Sequence, residues 1–307
     1  MAPSPIIDIS AVAPAMPFDL RATFTPRLRD SDLYLSWMHP GGASGYVVEV
    51  GFEPGRSDEV IVVERPTIPA FRWANPPPRP IFVRVKATNM AGVGPLSPEI
   101  KVVLFDLRDY IEAIYLGSGP LVPPDWQAAC PSADRRWSGF RAGSNVVIKF
   151  GSSVPDDDVY WLENAAGGLH ELTNGHITIS FAKTADPFPV PLRNEITVAK
   201  HPHPSELGCS SDLGCVMPTF AEPGVLTSAR AILGPSGSSA REVIGHGALG
   251  MCRLERDLIG GPLSIMTNAG PTDPTAYDVQ AIRAVYGSGL SPGATRTDFA
   301  RVGLVRP

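Results

Sequence analysis

Arg241-Glu-Val-Ile-Gly-His246-Gly-Ala-Leu-Gly250-Met-Cys-Arg253, followed shortly by Ser264-Ile265-Met266, is the stretch on which the architecture of this chain turns. A helix advances about 100° per residue, so side chains share a face at i+3 and i+4. On a regular helix Glu242 stands one turn before His246 and on the same face. A π-bulge that absorbs one extra residue places Arg241 on that face instead, with Glu242 beside it. Beyond Gly250, where the chain can turn, Arg253 is a permanent cation with no lone pair to give a metal.

This segment resembles the active-site helix of metzincin zinc peptidases, H-E-x-x-H-x-x-G-x-x-H, in which three histidines hold the metal and a glutamate is the general base. The match rests on His246 and Gly250 and is one residue too long on either side of His246. With a bulge, Glu242 keeps the place of the base and Arg241 stands where the first ligand belongs. Without one, Glu242 is a substitute ligand and Val243 stands where the base belongs. Arg253 occupies the third ligand position in both cases. A catalytic zinc takes three protein ligands and a water, and at most Glu242 and His246 can contribute from this helix. In the family the Ser-Ile-Met segment is a tight turn whose methionine, here Met266, packs beneath the metal.

The flanking order agrees with that resemblance over roughly residues 120 to 290. Ser144 to Phe150, His176 to Phe181, Glu195 to Ala199 and Thr227 to Leu233 read as strands. Asp156 to Leu172 carries Val159, Leu162, Ala166 and Leu169 at helical spacing, and Ala276 to Tyr286 carries Val279, Ile282 and Val285 as an apolar stripe. An α+β metzincin-like domain with a mixed sheet, motif helix and Met-turn is therefore expected over 120–307. Its tail, Leu290 to Pro307, is expected to be extended and anchored by Phe299 and Val302. Trp126, Trp137 and Trp161 read as core or domain-packing aromatics.

Before it, behind an N-terminal extension over 1–16, residues 17–104 alternate apolar and polar positions between Gly and Pro punctuation. Trp37 in Leu33-Tyr-Leu-Ser-Trp37, Tyr46 opening Tyr46-Val-Val-Glu-Val50, and the run from Val83 through Asn89 to Gly92-x-Gly94-Pro95 resemble a fibronectin type III domain, an all-β sandwich. Ile81 replaces the tyrosine that usually fastens one corner there. Residues 105–119 are expected to be a linker containing a short helix, so the fold class is multidomain.

The chain has 307 residues, 43% of them hydrophobic, with 33 prolines and 30 glycines, which suits two cores and loop-rich β architecture. A net charge of −5 without a basic run argues against nucleic acid as partner. No apolar run is long enough for a transmembrane segment, and the first sixteen residues lack the basic start and apolar core of an export signal. Cys209 and Cys215 are spaced for a local disulfide, with Cys130 and Cys252 left as a second pair. Disulfides point to an extracellular or cell-envelope protein whose export signal is absent from this sequence; the alternative is four reduced thiols in the cytosol.

For Glu242 the expectation is a carboxylate paired with Arg241, Arg253 or His246, and for His246 a buried, hydrogen-bonded histidine. His201-Pro-His203 reads as a solvated loop, and Asp156-Asp-Asp158 as a helix N-cap and first turn, not a calcium site. The functional expectation is a non-catalytic binding or structural protein that needs no cofactor. It would meet a protein or cell-surface partner through the fibronectin-like domain or the vestigial cleft. The alternative is an active zinc endopeptidase that completes an irregular site with His201 or His203.

Overall fold

Apolar residues at every second position bury one face of a strand and leave the other wet. In the computed structural model, which describes residues 12–38, 41–64, 68–124, 129–210, 212, 214–235, 240–254, 258, 264–266 and 274–307, this alternation builds two antiparallel sheets in the first unit. The strands β1 (Phe18–Thr25), β2 (Asp32–Met38), β3 (Gly45–Gly51), β4 (Glu59–Glu64), β5 (Ala70–Ala74), β6 (Ile81–Asn89), β7 (Gly92–Leu96) and β8 (Ile100–Val102) pair as β1-β2-β5 and β4-β3-β6-β7, with β8 also on β6. Leu33, Leu35, Val48, Val50, Val83 and Val85 fill the space between the sheets, and the Trp37 and Tyr46 rings meet edge to face at 5.0 Å. Ile81 is buried at the start of β6 as an apolar core residue. Asn89 closes the β6–β7 hairpin: its side chain accepts from the amides of Ala91 and Gly92 and donates to the carbonyls of Val12 and Gly42.

The second unit begins at Asp106, so the stretch 105–119 is not a linker. Asp106 caps helix α1 (Leu107–Leu116), and Tyr110, Ile111, Ile114, Tyr115 and Leu116 are all buried. A helix with so much apolar surface is stable only when packed, which makes it part of a core. Behind it lie β9 (Ser144–Phe150), β10 (Ile177–Lys183), β11 (Glu195–Lys200), β12 (Gly214–Glu222) and β13 (Val225–Leu233) in the order β10-β9-β11-β13-β12. All neighbours are parallel except β12, which runs antiparallel to β13.

Strand β12 was not expected from the sequence, because Pro218 interrupts it and prolines belong on edge strands, which is where β12 sits. The helix expected over 156–172 divides into α2 (Asp156–Ala166) and α3 (Leu169–Leu172) around Gly167 and Gly168. Pro155, not an aspartate, is the N-cap of α2. Asp156 and Asp158 lie in the first turn and pair with Lys183 and Lys200.

The last helices, α4 (Ala276–Tyr286) and α5 (Arg296–Arg301), each open with a Thr/Asp capping box. The tail is therefore helical in part, with Phe299 buried and Val302 exposed. Trp137 is a core residue ringed by Tyr115, His176, Tyr286 and Phe299. Trp161, on the outer side of α2, is 65% exposed and packs no domain interior; Trp126 lies outside the described residues. Among the described residues no helix is long and apolar enough to cross a membrane.

Cys130–Cys252 and Cys209–Cys215 are disulfide-bonded, with sequence separations of 122 and 6. In the chain-entropy account the longer loop contributes about 5 kcal/mol and the shorter about 2 kcal/mol. Replacing each pair by serines should therefore lower unfolding free energy in that rank order, measured by urea denaturation. Equal losses would show that loop closure is not what these bonds contribute.

Candidate functional site

The segment after β13 forms a π-helix, Ala240–Ala248, whose widened turn brings residues five apart onto one face. The amide of Leu249 continues this pattern by donating to the carbonyl of Ile244 at 2.9 Å. Arg241, five residues before His246, therefore shares its face, and Glu242 stands beside them. The widening runs along the whole helix from Ala240 to Ala248 and is not a single bulge.

Arg241, Glu242 and His246 are all buried, with Glu242 only 1% exposed. Glu242 Oε1 accepts a hydrogen bond from Arg241 Nε at 3.1 Å and lies 3.6 Å from Arg253 Nε. Arg253 also donates to the carbonyl of Gly214, the first residue of β12, at 3.3 Å. His246 Nδ1 is 2.9 Å from the carbonyl of Met251, so Nδ1 carries the proton and Nε2 keeps the lone pair. Burial pushes the His246 pKa below its ordinary 6.5, aided by the Arg253 and Arg241 charges and opposed by Glu242 and the Met251 carbonyl.

Arg253 is placed by its neighbours in the chain. Its amide and carbonyl both bond to Ala129, the Cys252 amide donates to Ile114 O at 2.6 Å, and Cys252 is disulfide-linked to Cys130. Just before, Gly250 has φ +68°, and a Cβ there would lie 1.6 Å from Ser138 O, so only glycine fits the turn. Met266 packs directly under the π-helix: a Cβ on Gly245 would lie 2.2 Å from its sulfur.

The Met266 turn hangs on Asp278, a residue that sequence reasoning missed. This carboxylate is fully buried and accepts from Tyr110 OH at 2.6 Å, Ser264 OH at 2.7 Å, the Ile265 amide at 3.0 Å, and the Thr275 amide and hydroxyl at 2.8 and 2.9 Å. Thr275-x-x-Asp278 is legible as a capping box. That Tyr110, from a helix far away in the chain, completes the site is not.

The donors do not fit a zinc ion. Two guanidiniums, which have no lone pair to offer, surround the one carboxylate. Among the described residues no three His, Cys, Asp or Glu side chains are grouped to hold a metal. The ring of His201 folds back onto the backbone of His203, and His203 faces Asp212 at 3.6 Å, so both are engaged in their own loop.

No family model matches the chain, and no curated protein matches it in sequence. Solved structures similar to it include one described as a myokine structure, 17% identical over 30% of this chain and 99% of that one, with a TM-score of 0.25. The FN1–FN3 domains of chicken CNTN1 are 23% identical over 31% of this chain and 32% of that one, with a TM-score of 0.26. Three-domain titin fragment A168–A170 is 20% identical over 31% of this chain and 33% of that one, with a TM-score of 0.25. The first unit, by its two facing antiparallel sheets and its Trp37 core, is a fibronectin type III-like β-sandwich.

Two measurements probe this site. Asp278→Asn leaves several donors facing one carbonyl oxygen and an amide, and should cost about 3–5 kcal/mol in urea unfolding; a loss under about 1 kcal/mol would mean the network is dispensable. The depressed His246 pKa has a definite sign: the folded chain refuses a proton that the unfolded chain accepts. The stability it contributes is full above pH 6.5 and is lost as pH falls below that value. His176, half-buried with Nε2 at Phe140 O, acts in the same direction. Between pH 7.5 and 5.5, wild type should lose more unfolding free energy than His246→Gln, and equal losses would contradict the assignment.

Proposed function

We propose that the second unit is a degenerate metzincin-like zinc-peptidase domain and that the chain is a non-catalytic binding or structural protein of the cell exterior or envelope. The observation that carries this reading is the buried Glu242 carboxylate, held by the guanidiniums of Arg241 and Arg253 at the places where metal ligands belong. The mixed sheet with one antiparallel edge strand, the helix that follows β13, and Met266 beneath that helix support the ancestry.

Peptide hydrolysis of the metzincin kind needs a polarised water and a carboxylate free to take its proton. Here the carboxylate oxygen is already hydrogen-bonded, and cations hold the ligand positions. What such a fold retains is shape: either this domain or the fibronectin-like sandwich can meet a protein or cell-surface partner. Two disulfides suit an oxidising compartment.

Glu242→Gln decides between structure and catalysis. Removing the counter-charge leaves the buried Arg241 and the partly buried Arg253 without it, and the variant should lose about 3 kcal/mol or more of unfolding free energy. Wild type should carry well under one equivalent of zinc by elemental analysis, and a chelator should leave its thermal unfolding unchanged. Intact stability of the variant, together with loss of a zinc-dependent cleavage of unfolded-protein substrates, would replace this reading with that of an active peptidase.

A further inference from the structure

The opposite end of the sheet carries a second feature, unrelated to the π-helix. A cavity of about 130 Å³ opens where the parallel strands β9, β11 and β13 begin, small beside the roughly 300–1,000 Å³ of pockets that bury drug-sized ligands. Its polar lining is Arg141, Arg193, Ser144, Asn194 and Thr227, and its apolar part includes the buried Leu226. No carboxylate lines it, although the chain as a whole is acidic at −5.

We infer that this cavity is an oxyanion-binding site for a phosphate or sulfate group. Arginine offers only donors, in a planar fork that matches tetrahedral oxyanions, and hydroxyl and amide donors complete such a shell. Arg193 is exposed and, among the described residues, has no hydrogen bond or ion pair. Arg141 pairs through Nη2 with Glu222 at 2.5 Å, a 57% exposed carboxylate outside the lining that competes with a ligand for this cation.

The frame that presents these groups is fixed by backbone hydrogen bonds. Asn194, at φ +61°, donates its amide to Thr227 O at 2.6 Å, and its carbonyl accepts from the Val147 amide at 2.9 Å, clamping it between β13 and β9. Arg193 precedes that clamped residue. On the other side the Ser144 amide donates to Arg141 O at 3.1 Å across a turn through Gly143 at φ +78°. Both guanidiniums thus rise from short turns held against the same three strand ends, and little backbone ordering remains to be done on binding.

The group could belong to a free ion or to a modified side chain of another protein. Titration calorimetry of the full chain with inorganic phosphate and sulfate, beside a phosphoserine peptide and its unmodified form, separates these sources. Saturable binding is expected to weaken at least fivefold in Arg193→Ala and in Arg141→Ala. Lys183→Ala is the control for bulk charge, because Lys183 sits at the far end of β10, in register with Phe150 and not with Ser144, about 20 Å away. It should stay within twofold of wild type. Tighter binding of the phosphopeptide than of the free ion assigns the attached group, and equal or weaker binding assigns the ion. The inference falls if neither ligand saturates, if either arginine variant weakens binding less than fivefold, or if Lys183→Ala weakens it as much as they do. Should Arg141→Ala fail to fold, Arg193→Ala alone decides.

Discussion

Asp278 is the constraint from which the second unit is organised. A buried carboxylate is tolerable only when its lone pairs are taken by donors, and this one collects them from α1, from the Met266 turn and from its own helix cap. The distant helix α1 and the nearby Met266 turn are thereby fixed to the cap of α4. Met266 can lie beneath the π-helix because the turn that carries it cannot move away from Asp278. Tyr110 then packs on Tyr277, and Tyr115 and Tyr286 on Trp137.

Above that floor, the π-helix solves a problem of charge. Three ionisable side chains are buried together there, and burial of a lone charge costs several kcal/mol. The arrangement is tolerable because Glu242 sits between Arg241 and Arg253, while burial disfavours a charge on His246, whose Nδ1–H donates a hydrogen bond to the Met251 carbonyl. Arg253 can take part because Gly250 turns the chain against Ser138 and the Cys130–Cys252 bond holds the return strand. A site assembled in this way resists change: each member is needed to make the others tolerable in a dry interior, and Arg241 and Arg253 have no lone pair to give a metal.

How much of this could be read in advance depends on the range of the interaction. The sandwich strands around Trp37 and Tyr46, helix α4 and the parallel strands were legible because each writes its own period into a short window. The cysteine pairs were legible from spacing and elimination. Strand β12 was hidden by Pro218, which an edge position tolerates, and α5 by its brevity. The linker reading of 105–119 failed because the burial of α1 depends on Asp278 and on the aromatic cluster, both distant in sequence.

The sequence by itself determined the fibronectin-like and mixed-sheet segments, the helix that carries Glu242 and His246, and the cations at Arg241 and Arg253, because these are matters of residue type and local period. Only the tertiary structure decided that the helix is π throughout, that one carboxylate oxygen faces both guanidiniums, and that Asp278 ties the Met266 turn to α1. Those outcomes turn on which buried charges and donors come within hydrogen-bond reach of one another. That reach is set by packing between segments as distant as residues 110 and 278, and no local pattern encodes it.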